Sequence, residues 1–389
     1  MKTDKWLFYF VSILIAIGIV FSLSLTSYTV LVHNYSNHLH FFILQFCVGM
    51  FCVFLMWIIS RLDPDKFLTP IGISIFLLMF FTMFFMNFLP PSMVTEINGA
   101  ARWIKLPGFS LAPVEFFKVG FIYFLAWSFN RKLDYSKKSI AAEIAILLPY
   151  LILFSVIVIL IGVYQNDLGQ VVVLSLVLLL MSMFAGTSFR LIGISALGVI
   201  FAAWVFIVTS DHRIERVKSW WGGVQDVALS MPFISPEAAA KLRIEDAVTP
   251  YQVGHSLNAI NNGEVFGKGL GQGSFKLGYL SEVHTDFVLA GIAEEIGFVG
   301  IFIITAIFYA ILFRIFQIAS KSENKVNYLF CLGIGFMFLF SFIMNSYGIT
   351  SISPVKGIAV PFLSYGGSHL LAASFAIGLV LMASKRAKF

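Results

Sequence analysis

The chain has 389 residues, of which 59% are hydrophobic and only 12% charged, with a formal net charge of +6. Soluble domains carry roughly 25% charged residues, so too little polar surface is present here to cover a water-soluble globule. The lysines and arginines are scattered through loops instead of gathered on one face, which argues against a nucleic-acid footprint.

Apolar runs long enough to cross ~30 Å of hydrocarbon recur near 7–32, 41–60, 70–89, 111–129, 142–163, 168–186, 189–209, 286–313, 327–347 and 365–384. The expected fold is therefore an all-α polytopic membrane protein of about ten transmembrane helices, a single transmembrane domain over 1–389. The first run has too long an apolar core for a cleaved signal peptide, and no small-residue cleavage site follows it. Most loop cations, among them Lys2, Lys5, Arg61, Lys66, Arg131, Lys132, Lys137, Lys138, Arg190, Arg314 and Lys385, fall on one side. Short segments on the other side hold only Arg102, Lys105 and Lys356. Retention of cations in the cytoplasm then puts both termini there. Cys47, Cys52 and Cys331 lie in apolar runs without metal-like spacing, arguing against a disulfide framework or a zinc site.

In chain order, the first outer loop of interest is NGAARWIKLPG, with Arg102 to pair a phosphate and Trp103 to sit at the interface. Glu115 and Lys118 follow at i and i+3, on one helical face. They read either as a buried ion pair or as the wall of a water-accessible cavity. A helix break is expected at Gln165–Gly169, with Asp167 as an N-cap. The outer segment 210–285 is polar and punctuated by Gly222, Gly223, Pro232, Pro236 and Pro250. It offers a short surface helix at 236–247 and otherwise no strong structure of its own. Its second half carries seven glycines up to Gly278. The run GKGLGQGS lacks the strand and helix that a nucleotide loop needs, so no nucleotide is expected, although such backbone can approach another phosphate. Asp286 stands at the mouth of the eighth run and reads equally as an N-cap or as a base. Glu294 and Glu295 lie within that run and read as structural anchors. A last outer loop offers Lys356, Ser364 and the Gly366-Gly367 turn.

The segments NGAARWI, PVEFFK, QNDLG, YQVGHSLNAI, FGKGLGQGSFKLGYLSEVHTDFVLAGIAEEIGFVG and PVKGIAVPFLSYGGS resemble the SEDS family, the FtsW/RodA/SpoVE proteins of bacterial wall synthesis. The Pro-x-Lys-Gly form at Pro354–Gly357 is more similar to the division branch, FtsW, than to the elongation branch, RodA. Departures include Ala112-Pro113-Val114 for the usual Gln-Pro-Ser, Asn166 and Ser281 for frequent prolines, and His369 for a frequent serine. None removes a charged group.

The resemblance implies a peptidoglycan glycosyltransferase in the bacterial cytoplasmic (inner) membrane, polymerising lipid II at its outer face during cell division. It maps the family's essential acid onto Asp286, as general base. Charge on the undecaprenyl diphosphate leaving group would be met by Arg102, Lys118, Lys268, Lys276, Lys356 or a divalent cation, Mg²⁺ or Mn²⁺. Trp103, Glu115 and Ser364 complete the expected substrate contacts. A class B penicillin-binding transpeptidase and other divisome membrane proteins are the implied partners. The competing readings are a lipid II flippase, a RodA-like elongation polymerase and a division scaffold.

Overall fold

The computed structural model describes residues 3–388 except 33–36, 91, 98–99, 107–108, 134–139, 210, 231–234 and 245–250. Lys2, Lys137, Lys138, Pro232, Pro250 and the last residues of the expected 236–247 helix lie outside the described residues. The elements run α1 Lys5–Leu25, α2 Ser27–Val32, α3 His40–Arg61, α4 Pro64–Phe85, β1 Val94–Ile97, β2 Ala100–Leu106, β3 Phe109–Leu111, α5 Pro113–Lys132 and α6 Ile140–Val158. They continue as α7 Leu168–Ala185, α8 Phe189–Val208, α9 Asp211–Leu229, α10 Pro236–Leu242, α11 Tyr251–Gly263, α12 Val288–Ser320, α13 Lys325–Ile349 and α14 Gly367–Ala383.

Among the described residues, nine helices are long and apolar enough to cross a membrane. Helix α5, of 20 residues, makes the tenth expected span. Glu115, Lys118, Arg131 and Lys132 dilute its hydropathy, yet it packs against α4, α7 and α13. The chain is a multi-pass membrane protein. Buried side chains from α1, α3, α5, α7, α12, α13 and α14 form one continuous core. In α8 only Leu191 is buried, and Phe189, Leu197, Ile200 and Phe201 are exposed, as expected of a lipid-facing helix.

Both described ends of the chain lie at the same end of the bundle. The Asp4 amide donates to Ser384 Oγ at 3.1 Å, Arg314 pairs with Asp4, Arg386 with Asp65 and Lys388 with Glu323. The opposite, loop-rich end is more ordered than the sequence suggests. Val94–Ile97, Ala100–Leu106 and Phe109–Leu111 form a three-stranded antiparallel sheet, β1-β2-β3, among described residues that are otherwise mostly helical. The 210–285 segment, expected to have little structure of its own, carries α9, α10 and α11.

Two helices break where they meet this end. The chain leaves α6 through a π turn, Ile159–Tyr164, and Arg102 reaches in to bond the carbonyls of Gln165 at 2.7 Å and Asn166 at 2.8 Å. A freed carbonyl at membrane depth needs such a partner. Helix α12, expected as one uninterrupted span, kinks at Gly297, whose φ of 66° and ψ of −170° are non-helical. A Cβ there would fall 2.3 Å from the Gly267 nitrogen, so glycine is required on both counts. Backbone from the glycine-rich loop fills the gap. Lys268 and Gly269 donate to the carbonyls of Glu294 and Glu295, while Phe298 and Val299 donate back to Glu264 and Val265.

Candidate active site

Asp286 sits just before α12, and its neighbours fix the backbone around it. Asn345 of α13 donates its Nδ2 to the Asp286 carbonyl at 2.6 Å and to that of Ile358 at 2.8 Å. Ser364 Oγ donates to the Thr285 carbonyl at 2.7 Å and accepts from the Val360 amide at 2.8 Å. The Tyr365 amide donates to the His284 carbonyl at 2.8 Å. The 284–286 strap is thus stitched to the 358–365 loop.

The Asp286 carboxylate itself is treated differently. Phe287, not Asp286, occupies the N-cap position of α12, and no side chain caps that helix. This removes the N-cap reading. Burial is the main influence on the Asp286 carboxyl. The Glu282 and Asp167 carboxylates add to it, Arg102 opposes it, and the net effect pushes it up to about 7.

Asp286 opens onto a cavity of about 590 Å³ walled by Arg102, Asp167, Arg213, Arg216, Lys356 and Gly357 among others. Four cations face two carboxylates. Asp167 caps α7 through the Gln170 amide at 3.2 Å, as its sequence position suggests, and burial raises its carboxyl against the pull of Arg102. Burial, then Arg216, lowers the Lys356 ammonium. Gly357 is needed for close approach, since a Cβ there would lie 2.8 Å from Asp286 Oδ2. Gly357→Ala is therefore expected to displace the carboxylate and cut turnover at least tenfold with little change in thermal stability, a pairing that activity and melting measurements check together.

Of the residues singled out from sequence, Arg102, Lys356 and Asp286 converge on this cavity. The others have different placements. Trp103 lies on β2, beside Arg102 but off the wall. Glu115 and Lys118 satisfy each other at 2.9 Å. Lys118 also donates to Gln170 Oε1 at 2.7 Å, Gln170 donates to Glu115 at 3.1 Å, and His369 Nδ1 lies 2.9 Å from Glu115. They are a buried ion pair, not a cavity wall. Lys268 makes an exposed pair with Glu264 at 3.2 Å. Lys276 is buried against Glu295 at 2.7 Å. Ser364 acts on the backbone, as described.

The glycine-rich amides are likewise occupied. Ser274 and Phe275 donate to Glu294 at 2.8 and 3.1 Å, and Gly271 donates to Glu295 at 3.1 Å. Residues not anticipated are Arg213 and Arg216, supplied by α9. With Trp220 they fall at i, i+3 and i+7, one helical face, the signal that could have found them.

A helical bundle that brings four cations and one poised carboxylate to its loop-rich end defines a membrane protein suited to an anionic ligand at the bilayer surface. Residues 4–389 match the model of the FtsW/RodA/SpoVE cell cycle proteins, and the chain belongs to that family. It is 43% identical over 389 residues, 100% of both chains, to the probable peptidoglycan glycosyltransferase FtsW of Helicobacter pylori. A protein of the same name from Trichlorobacter lovleyi is 36% identical over 295 residues, 75% of this chain and 70% of that one. The crystal structure of Thermus thermophilus rod shape determining protein RodA shares the fold, with a TM-score of 0.64 and 22% identity over 100% of this chain and 99% of that one. So does a chain from a peptidoglycan synthase complex described as coordinating polymerization and crosslinking, with a TM-score of 0.71 and 22% identity over 99% and 98%.

Proposed function

We propose that this chain is a peptidoglycan glycosyltransferase that polymerises lipid II during septal wall synthesis, with Asp286 as general base. The observation that carries the reading is a carboxylate held near neutrality, opening onto a cavity with four cations. A base works best when its pKa lies near the operating pH.

The 4-hydroxyl of the acceptor N-acetylglucosamine gives its proton to Asp286 as its oxygen attacks the anomeric carbon of the donor N-acetylmuramic acid. The bond from that carbon to the diphosphate oxygen breaks, and undecaprenyl diphosphate leaves with the electron pair. Arg102, Arg213, Arg216 and Lys356 meet the charge that develops on it. One displacement turns the donor's α linkage into β, with no second carboxylate needed as nucleophile. Among the described residues no three His, Cys, Asp or Glu gather to hold a metal alone. A Mg²⁺ or Mn²⁺ ion would be held by Asp167 together with a substrate diphosphate, since Mg²⁺ commonly takes one or two carboxylates plus phosphate oxygens. The ion would add charge neutralisation, leaving Asp286 unliganded as the base.

Placement in the cytoplasmic membrane, with the cavity on the outer face, is supported by the short-loop cations gathered at the opposite end. The 43% identity to an FtsW protein supports the division role over elongation. A class B penicillin-binding transpeptidase and other divisome membrane proteins are the partners proposed. A flippase wants its functional charge near the midplane, whereas here the open charged groups collect at one end. The test is purified wild-type and Asp286→Asn protein, each with and without the transpeptidase, given labelled lipid II in detergent. Polymer from the wild type alone is expected. Polymer from the Asn variant would remove Asp286 from the chemistry, and none from either would favour the flippase.

A further inference from the structure

A second cavity, of about 370 Å³, shares Asp286, Arg216 and Gly357 with the first. Its chemistry is otherwise different. Arg216 is the only cation among the described residues that line it, and Glu215 stands beside it. Ser219, Trp220, Gln252 and Ser353 supply neutral hydrogen-bonding groups and one large aromatic ring. Trp220 is locked in the wall by its indole N–H, which donates to the Ser351 carbonyl at 2.8 Å. Gln252 donates its Nε2 to Ser281 Oγ at 2.7 Å, leaving its amide oxygen as an acceptor. Ser353 Oγ is buried with no hydrogen-bond partner. A cavity-wall hydroxyl that no protein group satisfies is open to a ligand's polar group once its side chain turns towards the cavity.

A diphosphate prefers the cavity with the arginine forks. It gains little in a cavity with a carboxylate and one shared cation. A sugar is the reverse case, because it is neutral, rich in hydroxyls and flat enough on one face to rest on an indole. We infer that the smaller cavity is an uncharged saccharide site that takes the acceptor's N-acetylated sugar, with Trp220, Gln252 and Ser353 as its recognition residues. Asp286, in the wall of both cavities, then stands between acceptor hydroxyl and donor diphosphate. The assignment of this sugar as acceptor rests on the polymerase reading above; the division of ligand chemistry between the cavities does not.

The test uses binding, so that it is independent of turnover. Full-length Asp286→Asn protein in detergent is titrated calorimetrically with two probes, the β-1,4-linked N-acetylglucosamine disaccharide and inorganic pyrophosphate. In that background Trp220→Ala, Gln252→Ala and Ser353→Ala are each expected to weaken the disaccharide at least tenfold and leave pyrophosphate within twofold. Arg213→Ala, which alters only the larger cavity, is expected to do the opposite. The two small polar variants keep the test decisive if loss of the tryptophan disturbs folding. No disaccharide binding by the parent, or any pattern in which the two probes weaken together, overturns the inference. Failure of the polymerase reading appears separately, as absence of polymer from the wild type supplied with lipid II and transpeptidase.

Discussion

Asp286→Asn protein is expected to make no glycan polymer and yet to unfold at a higher temperature than the wild type at pH 8. The second half follows from the burial of the carboxyl. In the unfolded chain this carboxyl ionises near its ordinary value of 3.8, while in the fold it ionises only near 7. Between those values the folded state binds more protons than the unfolded one, so stability falls as pH rises through that window. Above about pH 7 the full cost is present, at most about 4 kcal/mol for a shift of this size. Asparagine carries no charge and escapes it. The gap in melting temperature should close on going down towards pH 4, where both states of the wild type are protonated. Catalysis runs the other way. The wild-type polymerisation rate should rise roughly tenfold per pH unit below about 7 and flatten above it, because only the ionised carboxylate accepts the acceptor's proton. Melting curves and initial rates across pH 5–9 measure both. An Asn variant less stable than the wild type at pH 8 would mark Asp286 as a structural residue.

How much of this was legible in the sequence depended on which physical signal each part carries. The spans were, because an apolar run of about 20 residues has few other fates. Helix α5 was among them even though its Glu115–Lys118 pair lowers its hydropathy. The strands β1, β2 and β3 are less legible, since AARWIKL is short and mixed in character and only the dipeptides Asn-Gly and Pro-Gly on either side of it in the sequence hint at turns. The kink at Gly297 was hidden by the apolar residues around it, and its cause lies thirty residues upstream, in a loop whose backbone replaces the missing helical bonds. The cavity was half legible. Arg102, Asp286 and Lys356 stand out as charges at the ends of apolar runs. Their convergence with Arg213 and Arg216 required knowing that α9 is a helix lying across the same end. Lys276 looked like a candidate for the same reason as Lys356, and only the depth to which the glycine-rich loop descends separates them.

Lys276→Met is expected to cost about 3–5 kcal/mol of stability, the range for removing one partner of a buried ion pair. The Lys276 ammonium is shared among Glu295 Oε1, Ser24 Oγ and the Gly271 carbonyl, each at 2.7 Å. Glu295 is 1% exposed, so without the lysine its charge has no compensating cation and little water. The loss should reach the chemistry as well. The first turns of α12 are cut off from the rest of the helix by the Gly297 kink and held by the loop that Lys276 anchors, and Asp286 lies two residues before them. Thermal unfolding and polymer yield should therefore fall together, unlike the Asp286→Asn variant, in which they part. Adding Glu295→Gln to Lys276→Met is expected to recover more than half of the lost stability, because the uncompensated charge is then gone. Lys268→Ala provides the contrast. Its pair with Glu264 is solvent-exposed, and such pairs contribute about 0–1 kcal/mol. A Lys276→Met protein as stable as Lys268→Ala would mean that the loop is held to α12 by its backbone bonds alone.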